Sequence, residues 1–223
     1  LHLTNWYPSL DQPFKASWIA RQIRALDTFC LNEVYHIEVV TGPFKLRNDR
    51  GMLGNKVLRL SFPTNVWFLK EIVTSVLVLY TLFIKIKLRD YDVVNFHIAY
   101  PLCTYLHFYQ NFIKKPIVIT EHWSAYHLNF GVNKDLNRIK RIFNNNVTWI
   151  TVSEALKVDL IQFSGNTAIN AFVVPNIVDS GTFTYSQKEK QNHFFMVSYW
   201  KKPKNPILLL RAFRYFLRKN PGI

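Results

Sequence analysis

Two short apolar runs end in histidine. One closes with Glu121-His122, the other with His97. A carboxylate beside an imidazole at a strand end can move protons once it is withdrawn from water, so Glu121 reads as a general acid or base, or else as a charge that braces a loop or a helix N-terminus. His122 reads either as a hydrogen-bond partner for a bound ligand or as a loop histidine satisfied by backbone. His97, before the turn Ala99-Tyr100-Pro101, either lines a cleft or caps the core. Glycoside hydrolysis would need two carboxylates opposed across the scissile bond. Asp92 precedes its apolar run whereas Glu121 comes after its own, which sets the two at opposite ends of a parallel sheet and argues against that chemistry. Glu121-His122 with His127 has neither HExxH spacing nor a third ligand close by, so no metal site is expected. Lys204 stands before Asn205 and Pro206 at a helix start, where its charge and the helix N–H groups can meet an anion, unless it is one solvated lysine in the run Lys201, Lys202, Lys204.

The elements that must hold these groups alternate. Apolar runs at 1–6, 34–40, 57–62, 93–97, 117–120, 149–152 and 172–174 read as strands, and amphipathic patterns between them as helices, the sign of an α/β fold with a Rossmann-like, doubly wound parallel sheet. Residues 17–29 repeat apolar side chains at Ile19, Ile23, Leu26 and Phe29, and 154–163 at Leu156, Leu160, Ile161 and Phe163. Ser153 is placed to cap the second of these, and Pro101 to open the helix after the fourth strand. Residues 1–178 make the first domain, 179–192 a polar linker, and a strand at 194–198 with a helix at 206–218 the start of another. Ligands of such sheets sit beyond the carboxyl ends of the strands. The residues there are Tyr7-Pro8-Ser9, His97, Glu121-His122, Ser153-Glu154 and Pro175-Asn176.

Bulk composition narrows the partners. With 49% hydrophobic residues in 223 the chain can bury a core, and 28 Lys and Arg against 14 Asp and Glu give a net charge of +14. That charge suits a phosphorylated ligand, an anionic membrane surface or nucleic acid. The last lacks a reading helix or stacking motif and is not expected. Residues 66–88 are the most apolar stretch, but Lys70, Glu71, Lys85 and Lys87 interrupt it, so it reads as a buried or surface-lying helix and not a membrane span. Cys30 and Cys103 fit no metal or disulfide pattern and read as buried free thiols. No leader pattern precedes residues 1–6, so a cytoplasmic setting is expected, with a peripheral contact to the inner face of the membrane.

The strand ends, taken in order, resemble the family 4 retaining glycosyltransferases of GT-B fold. Trp6-Tyr7-Pro8-Ser9 with 22–26 resembles the family's opening strand, loop and first helix. Tyr91-Asp92-Val93-Val94-Asn95-Phe96-His97 resembles its D-V-V-H-x-H strand, and Val118-Ile119-Thr120-Glu121-His122 its T-E-H strand end. Thr151-Val152-Ser153-Glu154 resembles T-V-S-E, and Val174-Pro175-Asn176-Ile177-Val178-Asp179 resembles P-N-G-V-D. Val197-Ser198 and Lys204-Asn205-Pro206 resemble the first strand and helix start of the nucleotide-sugar domain. Three positions depart from the pattern: Ala16 and Ile177 where glycine is usual, and Tyr199 near the usual arginine.

The resemblance implies transfer of a sugar from a nucleotide sugar to an acceptor hydroxyl with retention, in cell-surface polysaccharide or glycolipid synthesis, without a metal or other cofactor. In that scheme His122 hydrogen-bonds the transferred sugar; His97, Tyr7, Ser9, Ala16 and Glu121 face substrate; Lys204 meets the donor diphosphate. Its partners are a nucleotide-sugar donor and a glycan or lipid-linked acceptor. The family's paired glutamates would fall beyond Ile223, so residues 1–223 are not expected to turn over alone. The alternatives are another GT-B enzyme, an epimerase or a phosphorylase, and a basic membrane- or nucleic-acid-binding module.

Overall fold

The computed structural model describes residues 1–63, 65–127, 134–144, 146–185, 194–198 and 204–221. Its contacts divide the chain into one unit over Leu1–Asp179 and a second over Ser180–Ile223.

The first unit is an eight-stranded sheet. In chain order its elements are β1 (His2–Thr4), helix α1 (Ser17–Leu26), β2 (Val34–Thr41), β3 (Lys45–Arg50), β4 (Lys56–Phe62), helix α2 (Trp67–Tyr80), β5 (Val94–His97), short helices α3 (Ala99–Leu102) and α4 (Leu106–Tyr109), β6 (Ile117–Glu121), β7 (Thr148–Thr151), helix α5 (Glu154–Ser164) and β8 (Ala171–Val173). The strands lie in the order β3-β4-β2-β1-β5-β6-β7-β8, and every pairing is parallel except β3 with β4. From β1 the chain goes to β2 on one side and later returns to β5 on the other. The winding therefore reverses between β1 and β5, where loops diverge and a crevice opens. This is the expected doubly wound α/β sheet.

The faces differ. Leu3, Tyr35, Ile37, Leu58, Phe96 and Ile119 join Leu77 and Val78 of α2 in the main core. On the other face a smaller cluster of Tyr7, Ala16, Ile19, Ile23, Val34 and Ile98 sits under α1. Strand alternation also puts His2, Thr4, His36, Asn95, His97 and Thr120 on that second face, so a parallel sheet that would ordinarily be apolar on both sides carries a buried polar band.

The helices are explained by local chemistry. In α1 the buried residues are Ile19, Gln22 and Ile23, one stripe at helical spacing. The helix ends at Leu26, short of the expected Phe29, which is exposed. Helix α5 begins as expected: Ser153 Oγ accepts from Leu156 N at 3.2 Å, and Gly165 at φ 70° closes the other end. Helix α2 continues as a wide turn over Thr81–Lys85, and no described helix is long and apolar enough to cross a membrane.

Four expectations are corrected. The helix after β5 does not run on from Pro101: the backbone leaves helical values at Cys103 (φ −100°, ψ 4°) and again at Tyr105 (φ −113°, ψ 11°), and only the short helices α3 and α4 form. Strand β3 is unexpected, since Lys45-Leu46-Arg47-Asn48-Asp49-Arg50 has no apolar pattern; it is a fully exposed edge strand held by its hairpin to β4. Residues 194–198 form no strand: no described strand in the second unit offers an edge to pair with. Cys103 is buried as expected, but Cys30 is exposed, its thiol directed at Asn32 Oδ1 3.4 Å away. In the second unit, α6 (Pro206–Lys219) is capped by Asn205, whose Oδ1 accepts from Leu208 N at 3.2 Å.

Candidate functional site

The switch point holds a histidine stack. His97 at the end of β5 lies against His2 of β1 with ring centroids 5.2 Å apart, and against His122 after β6 at 5.9 Å, interplanar angle 22°. Trp18 of α1 closes the outer side of His122 at 6.5 Å. The hydrogen bonds fix the proton positions. Asp27 accepts from Asn32 Nδ2 at 2.9 Å, so Asn32 Oδ1 accepts from His2 Nε2, also at 2.9 Å. His2 Nδ1 is thereby an acceptor and takes the proton of His97 Nε2 at 3.0 Å. This leaves His97 Nδ1 a bare lone pair, buried and without a partner among the described residues.

Both ring nitrogens of His122 are likewise buried with no hydrogen-bond partner there. Burial pushes the His122 imidazole down to about 4, offset in part by the amide of Asn176, which stands near without hydrogen-bond geometry. Burial also pushes His2 down to about 4, and burial with the neighbouring His2 and His122 holds His97 well below its ordinary range. Three neutral imidazoles therefore run in line at neutral pH, from His2 at the start of β1 to His122 at the carboxyl edge.

Glu121 sets the loop that presents His122. Its Oε1 accepts from the N–H groups of His122 and Trp123, each at 2.9 Å, and its Oε2 from Ala99 N and Tyr126 Oη, each at 3.0 Å. The side chain is wholly buried; burial raises its pKa, against the pull of those donors. Ile98, at φ 64° and ψ 107°, turns the chain so that Ala99 N faces this carboxylate, an unusual conformation for a β-branched residue.

A cavity of about 400 Å³ opens at the carboxyl ends of β1, β5 and β6, over the longer β2; none of the three stacked histidines lines it, and Trp123, the residue after His122, does. Its walls include Asn5, Trp6, Lys15, Glu38, Lys70, Glu71, Tyr100 and Trp123. Glu38 accepts from Lys15 at 3.3 Å and from Arg59 Nε at 2.8 Å, and meets His36 at 3.3 Å. Burial alone would raise its carboxyl, but His36, Lys15 and Arg59 hold it down at about 2. Glu71, buried to 1%, accepts from Tyr100 Oη at 2.7 Å and Arg138 at 3.0 Å.

The expected site residues divide on this geometry. His97 and His122 come together. Glu121, expected to face substrate, has its oxygens sealed under the loop, which makes it a positioning residue. Tyr7 does not face the cavity either: its ring, 4% exposed, packs beneath α1 and not in the cavity wall. Ser9 holds an outer turn through Gln12 N at 3.2 Å, away from the cavity lining. Ala16 is buried and left-handed at φ 50°, ψ 35°, so the conformation that favours glycine is kept without one. Lys204 is exposed at the start of α6 in the second unit, and Ile177 is partly exposed after β8. Tyr199, Lys201 and Lys202 lie outside the described residues.

His2, Glu38, Glu71, Lys15 and Lys70 were not expected at the site. For His2 and Glu38 a signal existed in the alternation inside the strands, His2-Leu3-Thr4, His36-Ile37-Glu38 and Asn95-Phe96-His97, in which every second residue of a buried strand is polar. Among the described residues no group of three or more His, Cys, Asp or Glu is gathered to hold a metal.

No curated protein matches the chain. A family model does: that of Glycosyltransferase Family 4, over residues 31–181, which takes in β2 through β8 and the loop that carries His122. A parallel sheet wound about this switch point, with the match extending over most of the chain, makes the protein a member of Glycosyltransferase Family 4.

Proposed function

We propose that this glycosyltransferase moves a sugar from a nucleotide sugar to an acceptor hydroxyl with retention, in the synthesis of a cell-surface polysaccharide or glycolipid. The observation that carries this reading is His122, neutral, with no hydrogen-bond partner for either nitrogen among the described residues, at the carboxyl edge one residue before Trp123, which lines a cavity of small-molecule size. An imidazole with a pKa near 4 is no acid at neutral pH. It offers one N–H donor and one acceptor, the pair needed to hold a sugar hydroxyl in a single orientation. Retention with the leaving diphosphate and the incoming hydroxyl on one face of the ring asks for that kind of positioning and for stabilisation of the departing charge. His122 supplies the first. Lys204, at the amino end of α6, is assigned the second. Donor binding to the second unit, a cytoplasmic setting and a peripheral membrane contact belong to the same proposal.

Hydrolysis of GDP- and UDP-sugars by the full-length protein tests it. At least one donor is expected to be hydrolysed, and His122→Ala to slow that reaction by about 100-fold, the order of loss that misplacement of a reactant brings. Undiminished hydrolysis in the variant would remove His122 from the site.

A further inference from the structure

The cavity is lined by aromatic rings, by two lysines, Lys15 and Lys70, and by two carboxylates, Glu38 and Glu71. Trp6 and Trp123 lie 6.0 Å apart at 53°, and Tyr100 stacks on Trp123 at 6.2 Å. Such faces suit a ring with C–H groups on its flat side. Asn5 adds a buried Oδ1 that has no hydrogen-bond partner among the described residues, an acceptor waiting for a hydroxyl.

The charges do not cancel. Both oxygens of Glu38 are engaged by Lys15, His36 and Arg59, and those of Glu71 by Tyr100 and Arg138. Lys70 has no ion-pair partner among the described residues; its Nζ donates at 2.6 Å to the neutral hydroxyl of Thr41. Among the described residues, with Arg59 and Arg138 reaching Glu38 and Glu71 from outside the lining, four cations meet two carboxylates, an excess of two. Lys70 also stands in the first turn of α2, whose positive end adds to the excess.

Resting on the transfer reading above, we infer that the acceptor is an anionic sugar: its ring lies against Trp6 and Trp123, and its phosphate or carboxylate replaces the Thr41 hydroxyl as the partner of Lys70. A neutral sugar would leave that lysine on a hydroxyl, and a bare anion would leave the aromatic wall unused.

Tryptophan fluorescence of the full-length protein, titrated with glucose, glucose 6-phosphate, glucuronate and inorganic phosphate, decides this. At least one of the two anionic sugars is expected to bind about tenfold or more tighter than glucose and than phosphate, the difference one charge-assisted hydrogen bond makes. The better of the two identifies phosphate or carboxylate as the group read. Lys70→Met, at a partly exposed site, should abolish the preference for anionic sugars over glucose; Trp6→Ala should weaken every sugar. Equal affinity for neutral and anionic sugars, phosphate alone binding as well as the phosphosugar, no response to any sugar, or an unchanged preference in Lys70→Met would each overturn the inference. Donor hydrolysis, measured alongside, separates the two ideas. Hydrolysis without the anionic preference leaves transfer standing and removes the anionic acceptor, whereas the preference without hydrolysis of any donor leaves a binding site for anionic sugars and removes the transfer reading.

Discussion

At Glu121, N–H groups of Ala99, His122 and Trp123 and the hydroxyl of Tyr126 converge on a carboxylate with no exposed surface. A carboxamide in its place would turn an N–H₂ toward one pair of these donors. Glu121→Gln should therefore cost roughly 2–3 kcal/mol of unfolding free energy, while Tyr126→Phe, which removes a single donor, should cost about 1 kcal/mol. Urea unfolding monitored by fluorescence checks both. Equal costs would mean that the carboxylate does not organise the loop. Because His122 is the next residue, hydrolysis of the donor should fall with Glu121→Gln as well. At this scale residues at the carboxyl end of a strand stand out in the sequence, whereas those inside one, such as His2 and Glu38, show only as polar alternation. His97 and His122 are picked out because strand ends point to the ligand edge, and their rings do meet there. For Glu121 the sequence leaves two readings open, since a carboxylate aimed at a ligand and one folded back onto backbone N–H groups have the same sequence. Lys70 and Glu71 show in the sequence only as interruptions of an apolar stretch, since nothing local reveals that the first turn of α2 faces a cavity.

The element that bears on location is the segment from α2 through Thr81–Lys85. Its inner stripe, Leu77, Val78 and Leu82, is buried in the core, whereas Ile72, Val76, Phe83 and Ile84 are exposed, with Lys85, Lys87 and Arg89 next along the chain. An apolar outer face bordered by cations suits an anionic bilayer surface, where each basic residue contributes about 1 kcal/mol. On the peripheral contact proposed above, the full-length protein is expected to co-sediment with phosphatidylserine vesicles at low salt and much less with phosphatidylcholine. Phe83→Ser with Lys87→Glu should reduce that binding. Sedimentation indifferent to lipid charge and to both changes would dismiss this face. Elements differ in legibility for a physical reason. Strands with buried side chains announce themselves, while β3 cannot, because its order comes from pairing with β4 and not from burial. Ala16 is a related case: its left-handed backbone costs about 1 kcal/mol that glycine would avoid, roughly what its buried methyl returns, so the site tolerates either residue.

The whole molecule carries its buried histidines as a liability in acid. His2 and His122 titrate at about 4, and burial beside them holds His97 well below its ordinary range, against an unfolded value near 6.5. Between pH 6.5 and 4 the unfolded chain thus binds protons that the native one refuses, and stability falls as pH falls, by up to about 1.4 kcal/mol per unit for each imidazole. Glu121, whose pKa is raised, works the other way just above the ordinary carboxylate range, but it is one group against three. Glu38, held at about 2, contributes stability that is lost only as pH falls from 4.5 toward that value, below the histidine window. The urea midpoint is therefore expected to be highest near pH 7 and to drop steeply by pH 5, and His2→Gln to remove about a third of the slope. A midpoint flat from pH 7 to 5 would show that these imidazoles titrate as exposed ones do. The same shifts separate folding from chemistry. His122 remains neutral down to about pH 4 in the native state, so activity lost between pH 6 and 5 should track the unfolded fraction and return on neutralisation, with no separate titration of the catalytic edge.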